Sequence, residues 1–132
     1  MEMRVPSAVL EVRPIPASIP SATGIAFDFS PQLSVNFDKE TRAIWSRWAP
    51  DPRPCFNPGL LADIRAYYEF VGASSARIDC AGEEHDIEYV VLASGQRGVF
   101  NLGGDLDLFN QLIDARDRQG LLRYGRACID VL

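Results

Sequence analysis

Between Ile87 and Ile113 the chain passes from an almost continuous apolar and β-branched stretch, IEYVVLAS, into VFNLGGDLDLFNQLI, where two adjacent glycines precede the first turn of a helix. The order strand, glycine loop, helix constrains the fold more than any other part of the sequence. An apolar run without alternation predicts a strand buried on both faces, as in a sheet flanked by helices. One glycine suffices for a plain turn, so a pair predicts that a ligand or another backbone comes close. A helix N-terminus at the same place presents unpaired N–H groups and a partial positive charge, which makes the loop a candidate anion or oxyanion site. From these residues alone, a tight strand-to-helix turn capped by Asp105 is favoured over such a site. The loop has neither a Gly-Lys-Ser/Thr ending nor GxGxxG spacing, which excludes the phosphate-loop motifs.

The elements before it fit a mixed arrangement. Residues 1–31 hold five of the nine prolines and read as an arm in which only short edge strands form, with the pairs Val9–Leu10 and Ile25–Phe27 able to lie against the domain. In LSVNF-DKET-RAIWSRWA, Leu33, Val35 and Phe37 alternate before a polar turn, and Ala43, Trp45 and Arg47 alternate after it. This pattern predicts a β-hairpin. Asn57 followed by Pro58 is a helix start, and Leu60, Leu61, Ile64, Tyr67, Tyr68 and Val71 form its apolar stripe up to Gly72. ASSARIDCAGEEHD is expected to be a loop. Beyond Asp117 a last helix places Leu121, Gly125, Cys128 and Leu132 on one face, with Leu122 and Ile129 beside it. The sum is an α/β fold.

Composition narrows the function. With 132 residues the chain fits one domain with a single modest core. A formal charge of −5 opposes binding to a phosphate backbone, so no nucleic acid partner is expected. No apolar run approaches the roughly 20 residues of a spanning helix, so no membrane partner is expected and a cytoplasmic location is the default. Cys55, Cys80 and Cys128 are too few and too scattered for a disulfide framework or a zinc site, and are expected to be reduced thiols. The acidic run around the single histidine, EEHDIE, matches no metal-ligand spacing and reads as a solvated loop. Asp105 and Asp107 diverge if both are helical, which leaves capping as their role. Without GxSxG, and with His85 alone, nucleophilic triads are unsupported.

The stretch YVVLASGQRGVFNLGGDLDLFNQLIDARDRQGLLRYGRACIDVL resembles the crotonase superfamily, which contains the enoyl-CoA hydratases and isomerases. VFNLGGDLDLFNQLI is most similar to the diffusible signal factor synthases of bacterial quorum sensing. The hairpin, the loop PRPCFNPGLLADI and the strand YVVLAS stand in the order of that family's first half, so the resemblance covers about residues 32–132, after the arm of residues 1–31. It implies a spiral of strand-strand-helix units acting on acyl thioesters of coenzyme A or acyl carrier protein, with no cofactor and no metal of its own. The parent chemistry is dehydration of a 3-hydroxyacyl thioester and hydrolysis to an unsaturated fatty acid signal. The resemblance assigns an oxyanion-hole N–H to Gly104. It places Leu102 and Gly103 along the acyl-thioester channel with Phe100 in support, and puts the nucleotide or pantetheine arm beside Arg53 to Asn57, Phe56 included.

The family's second oxyanion donor and its catalytic glutamates follow at a later glycine-rich helix start, for which the sequence has no counterpart. The expectation is therefore half an active site, inactive alone, incomplete at its C-terminus, with exposed apolar surface on the last helix. Homo-oligomerisation or association with the missing half is expected. A non-catalytic module that binds an acyl carrier protein, a thioester or a crotonase subunit is the alternative.

Overall fold

The computed structural model of the chain describes residues 24–80 and 82–131, and shows a mixed α/β fold of three helices and two small sheets. The Val9–Leu10 pair of the arm and Leu132 lie outside the described residues. Strands β1 (Gly24–Ser30), β2 (Leu33–Asp38) and β3 (Ala43–Trp48) form an antiparallel meander, with β1 contributed by the end of the proline-rich segment. The β2–β3 turn is tied by the Asp38 carboxylate, which accepts the Glu40 N–H at 3.0 Å and the Thr41 hydroxyl at 2.7 Å. Register pairs Leu33 with Trp48, Val35 with Ser46 and Phe37 with Ile44. Cross-strand partners share a face, so Ile44, Ser46 and Trp48 join Leu33, Val35 and Phe37 in the core. The alternate set carries Trp45 and Arg47 outward, where the Arg47 guanidinium lies 5.2 Å from the Trp45 ring centroid and donates to Asn36.

Helix α1 (Pro58–Ala73) begins where Asn57 and Pro58 predict. The Asn57 Oδ1 accepts the Leu60 N–H at 2.9 Å, and its Nδ2 donates to Gln32 at 2.7 Å, which fastens the helix start to the beginning of β2. Leu60, Leu61, Ile64 and Tyr67 are buried against the sheet. Strands β4 (Arg77–Cys80) and β5 (Glu83–Asp86) then form a hairpin in the segment expected to be a loop. Its polar composition conceals a two-residue alternation: Ile78 and Cys80 are buried while Arg77 and Asp79 are exposed.

Strand β6 (Tyr89–Ser94) returns parallel to β3 after this crossover and completes the order β1-β2-β3-β6. The expected burial on both faces is not found. Tyr89, Val90 and Leu92 are 60%, 49% and 37% exposed and only Ala93 of the strand is buried, β6 lying at the sheet edge. Helices α2 (Leu106–Asp114) and α3 (Arg118–Ile129) follow, each capped by an aspartate, Asp105 and Asp117. The face of α3 turned inward centres on Gly120 and Tyr124, which are buried. Leu121, Gly125 and Cys128 flank it half-buried, and Leu122 and Ile129 are exposed. No helix among the described residues is long and apolar enough to cross a membrane.

Candidate functional site

Two irregular segments, residues 53–57 and 99–105, run side by side at the end of the sheet and are held by backbone hydrogen bonds. Leu102 N–H donates to Pro54 O at 2.7 Å and Phe56 N–H to Gly103 O at 2.8 Å. Phe56 and Gly104 form a parallel bridge outside the main sheets. The Trp48 indole fixes the near end by donating to Phe100 O at 2.8 Å, and its ring meets the Phe100 ring edge-on, with centroids 4.8 Å apart.

Tyr124 fixes the far end. Its hydroxyl accepts the Asp105 N–H at 2.7 Å and donates to Phe56 O at 2.7 Å, so one side chain of α3 bridges both segments. The residue is buried, and burial, followed by smaller effects that include the Cys128 thiol beside it, pushes its pKa up to about 12. Nothing in the sequence reading singled it out. The face expected for this helix, Leu121, Gly125, Cys128 and Leu132, omits it, and both its partners are remote, at 19 and 68 residues away.

The donors of the glycine loop can be followed one by one. Leu102 N–H is taken by Pro54, Gly103 N–H by the Asn101 Oδ1 at 2.7 Å, and Asp105 N–H by Tyr124. Gly104 N–H alone of these four donates to no group among the described residues. Gly103 has φ +91°, a conformation that excludes other residues without strain, and so makes the turn. Gly104 is held differently: a Cβ there would sit 3.4 Å from the Phe109 ring and 3.6 Å from the Tyr124 hydroxyl, at ordinary contact distance.

Gly104 opens onto a cavity of about 390 Å³ whose walls are almost wholly apolar: Trp48, Phe56, Leu61, Ile64, Leu92 and Phe100, together with Tyr68, Cys128 and Val131. No carboxylate lines it among the described residues. Of the residues singled out in the sequence, Phe56, Phe100 and Gly104 thus meet in one cavity. Leu102 and Gly103 belong to the same loop but are not among its walls; Leu102 is 71% exposed. Arg53 is also outside the cavity, with its guanidinium paired to Asp107 and, at 3.2 Å, to Asp105. The two aspartates therefore do share a cation, contrary to the divergence expected of helical neighbours two apart. The reason is that Asp105 is the N-cap, with extended backbone at φ −79° and ψ 93°, so its carboxylate turns back over the helix end.

Outside this region, the acidic hairpin keeps His85 near the Phe37 ring, with centroids 6.0 Å apart, and 3.7 Å from Glu83. No cluster of three or more metal-ligating side chains occurs among the described residues. The three cysteines are unpaired thiols, and burial raises the pKa of Cys55 and Cys80. The chain matches no protein-family model, and no curated protein matches it in sequence.

Proposed function

We propose that this chain binds an acyl thioester, with the acyl group in the apolar cavity and the thioester oxygen on the Gly104 N–H. The observation that carries the reading is the Gly104 N–H, which has no partner among the described residues and stands at the rim of a cavity with apolar walls. An acyl chain gains by leaving water for such walls, and a carbonyl arriving with it needs a donor, since a buried unpaired oxygen is costly. A donor fixed before the substrate arrives also stabilises the charge that develops in an enolate or tetrahedral intermediate.

On this reading residues 32–132 are the first part of a crotonase-like spiral, with β2, β3 and α1 as one strand-strand-helix unit and β6, the glycine loop and the later helices continuing the winding. The parent chemistry is dehydration of a 3-hydroxyacyl thioester followed by thioester hydrolysis, giving an unsaturated fatty acid. Both steps need a general acid or base, and the described residues of the cavity walls supply no carboxylate. A second segment or subunit docked on the open edge of β6 would have to bring one. The same lack of a carboxylate favours the second reading, a non-catalytic module that holds a thioester, alone or on an acyl carrier protein.

Calorimetric titration with octanoyl-CoA and with its thioether analogue, which lacks the carbonyl oxygen, tests the shared core of both readings. The thioester should bind more tightly, and Gly104→Pro, which removes the N–H, should abolish the difference. Equal affinity for the two ligands in the unaltered protein would refute the assigned role of Gly104. Turnover of 3-hydroxyacyl thioesters by the chain alone would decide against the non-catalytic module.

A further inference from the structure

The main sheet has two edges, and they are built differently. On the β1 edge the ladder slips between Asp28 and Ser30, and such a bulge is a common means of keeping a strand edge from pairing with another chain. The β6 edge has no such protection. Its residues, YVVLAS, include no proline and no charge, and they pair with β3 one for one along the whole strand. Among the described residues no strand pairs with its outer side. A row of backbone N–H and C=O groups is therefore open there, beside the exposed side chains of Tyr89, Val90 and Leu92. Charge distinguishes the two ends of this strand. Glu83, Glu84, Asp86 and Glu88 precede it and Arg97 follows it, all of them exposed. Arg42 pairs with Glu88, and Arg77 is shared between Glu84 and Asp86, so the entry to the strand keeps a negative balance.

We infer that the β6 edge is the contact surface for a second copy of this chain, whose own β6 pairs with it antiparallel across a two-fold axis near Val91 and Leu92. The inference does not depend on the acyl-thioester reading. A two-fold axis brings the same patch of both copies together and closes the assembly at two. Antiparallel pairing sets the acidic entry of each strand beside Arg97 of the other copy, at both ends, whereas parallel pairing would set acid beside acid. Cross-strand partners share a face, so Tyr89, Val91 and Ala93 meet their counterparts on one face and Val90, Leu92 and Ser94 on the other. No charge lies on either strand. This neutral strip with opposite signs at its ends lets a chain of formal charge −5 meet a copy of itself, where like charge opposes contact over the rest of its surface. Leu92 also lines the apolar cavity, so the second copy stands at the wall of that cavity.

Sedimentation equilibrium of the full chain over a micromolar concentration series tests this, together with hydrogen exchange at the same concentrations. A monomer–dimer equilibrium is expected, and the amides of residues 89–94 should exchange more slowly as the dimer fills. Val90→Lys puts a charge on the strip at a half-exposed position and should weaken the dimer at least about tenfold. Circular dichroism checks that its monomer is folded. Arg97→Glu lies outside the strand and serves as the second variant: it should weaken the dimer less, and added salt should reverse its deficit by screening. A chain that stays monomeric throughout overturns the inference and leaves the edge to a different partner. So does a dimer in which the exchange of residues 89–94 is independent of concentration, or one that survives Val90→Lys or is unmoved by Arg97→Glu. Growth beyond two copies would mean that β6 meets β1 head to tail, and it overturns the two-fold pairing as well.

Discussion

The side of the molecule where α1 lies over β1 and β2 differs in kind from the side formed by β6, the glycine loop and α2. In the first, Leu33, Val35, Phe37, Ile44, Leu60 and Tyr67 are at most 1% exposed. In the second, Leu92, Phe100, Leu102 and Leu106 are 37–71% exposed. Their residue types are alike, so apolar composition cannot account for the contrast. One group has a partner layer and the other does not. Burial of apolar surface supplies most of the folding free energy, and the closed side therefore holds the fold. The open side keeps apolar surface, a free strand edge and the Gly104 N–H, unpaired among the described residues, available for a ligand or another chain.

Truncating the closed side should have the largest effect. Phe37→Ala is expected to cost about 3–5 kcal/mol, as for other buried aromatic deletions, and urea denaturation would measure it; a loss below 1 kcal/mol would mean that this layer is not the core. Next comes the pin between residues 53–57 and 99–105. Tyr124→Phe leaves the Asp105 N–H and the Phe56 carbonyl without their bridge and should cost about 1–3 kcal/mol. Faster hydrogen exchange should appear in residues 99–105, while α1 stays protected. Uniform loss of protection would instead make Tyr124 an ordinary core residue.

The two glycines can be separated. Gly103→Ala must hold a side chain at positive φ and should destabilise by about 1–2 kcal/mol, whereas Gly104→Ala meets its neighbours at ordinary distance and should cost less; the reverse order would contradict the roles given to them.

Alkaline pH sharpens the same comparison. A phenol whose folded pKa is raised above its unfolded value favours the neutral, folded form, so its contribution is complete below pH 10 and fades as pH rises from 10 to about 12. Burial of Tyr67 and of the Cys55 and Cys80 thiols gives the whole protein a trend of the same sign. The specific signature is therefore a gap in urea midpoint between the unaltered protein and Tyr124→Phe that narrows over this window. A constant gap would show that the hydroxyl is not held neutral by folding. Smallest of all, Arg53→Ala on the exposed rim should leave the urea midpoint unchanged, because solvent screens such pairs.

Locally encoded features were legible in the sequence. The β2–β3 hairpin, the Asn57–Pro58 helix start and the Asp105 cap all depend on side chains within three or four residues of the backbone they act on. The α/β class also follows the reading. What escaped it depends on distant partners. The run YVVLAS has the composition of a buried strand, yet burial is decided by what packs on it, and β6 lies at the sheet edge. ARIDC and EEHD pair through one another's backbone, which their polar side chains do not announce. Tyr124 looks like one more residue on an apolar helix face until its hydroxyl is seen between Asp105 and Phe56.

The Gly104 N–H, on the proposed function, is held ready for a carbonyl oxygen at the rim of the cavity. Amide proton NMR of the ¹⁵N-labelled chain, titrated with octanoyl-CoA and separately with its thioether analogue, addresses that atom directly. The Gly104 amide proton should shift downfield with the thioester and markedly less with the thioether, while Gly103 and Asp105, whose donors are already engaged, move little. A Gly104 resonance that stays still on saturation with octanoyl-CoA, or that moves equally with both ligands, would contradict it.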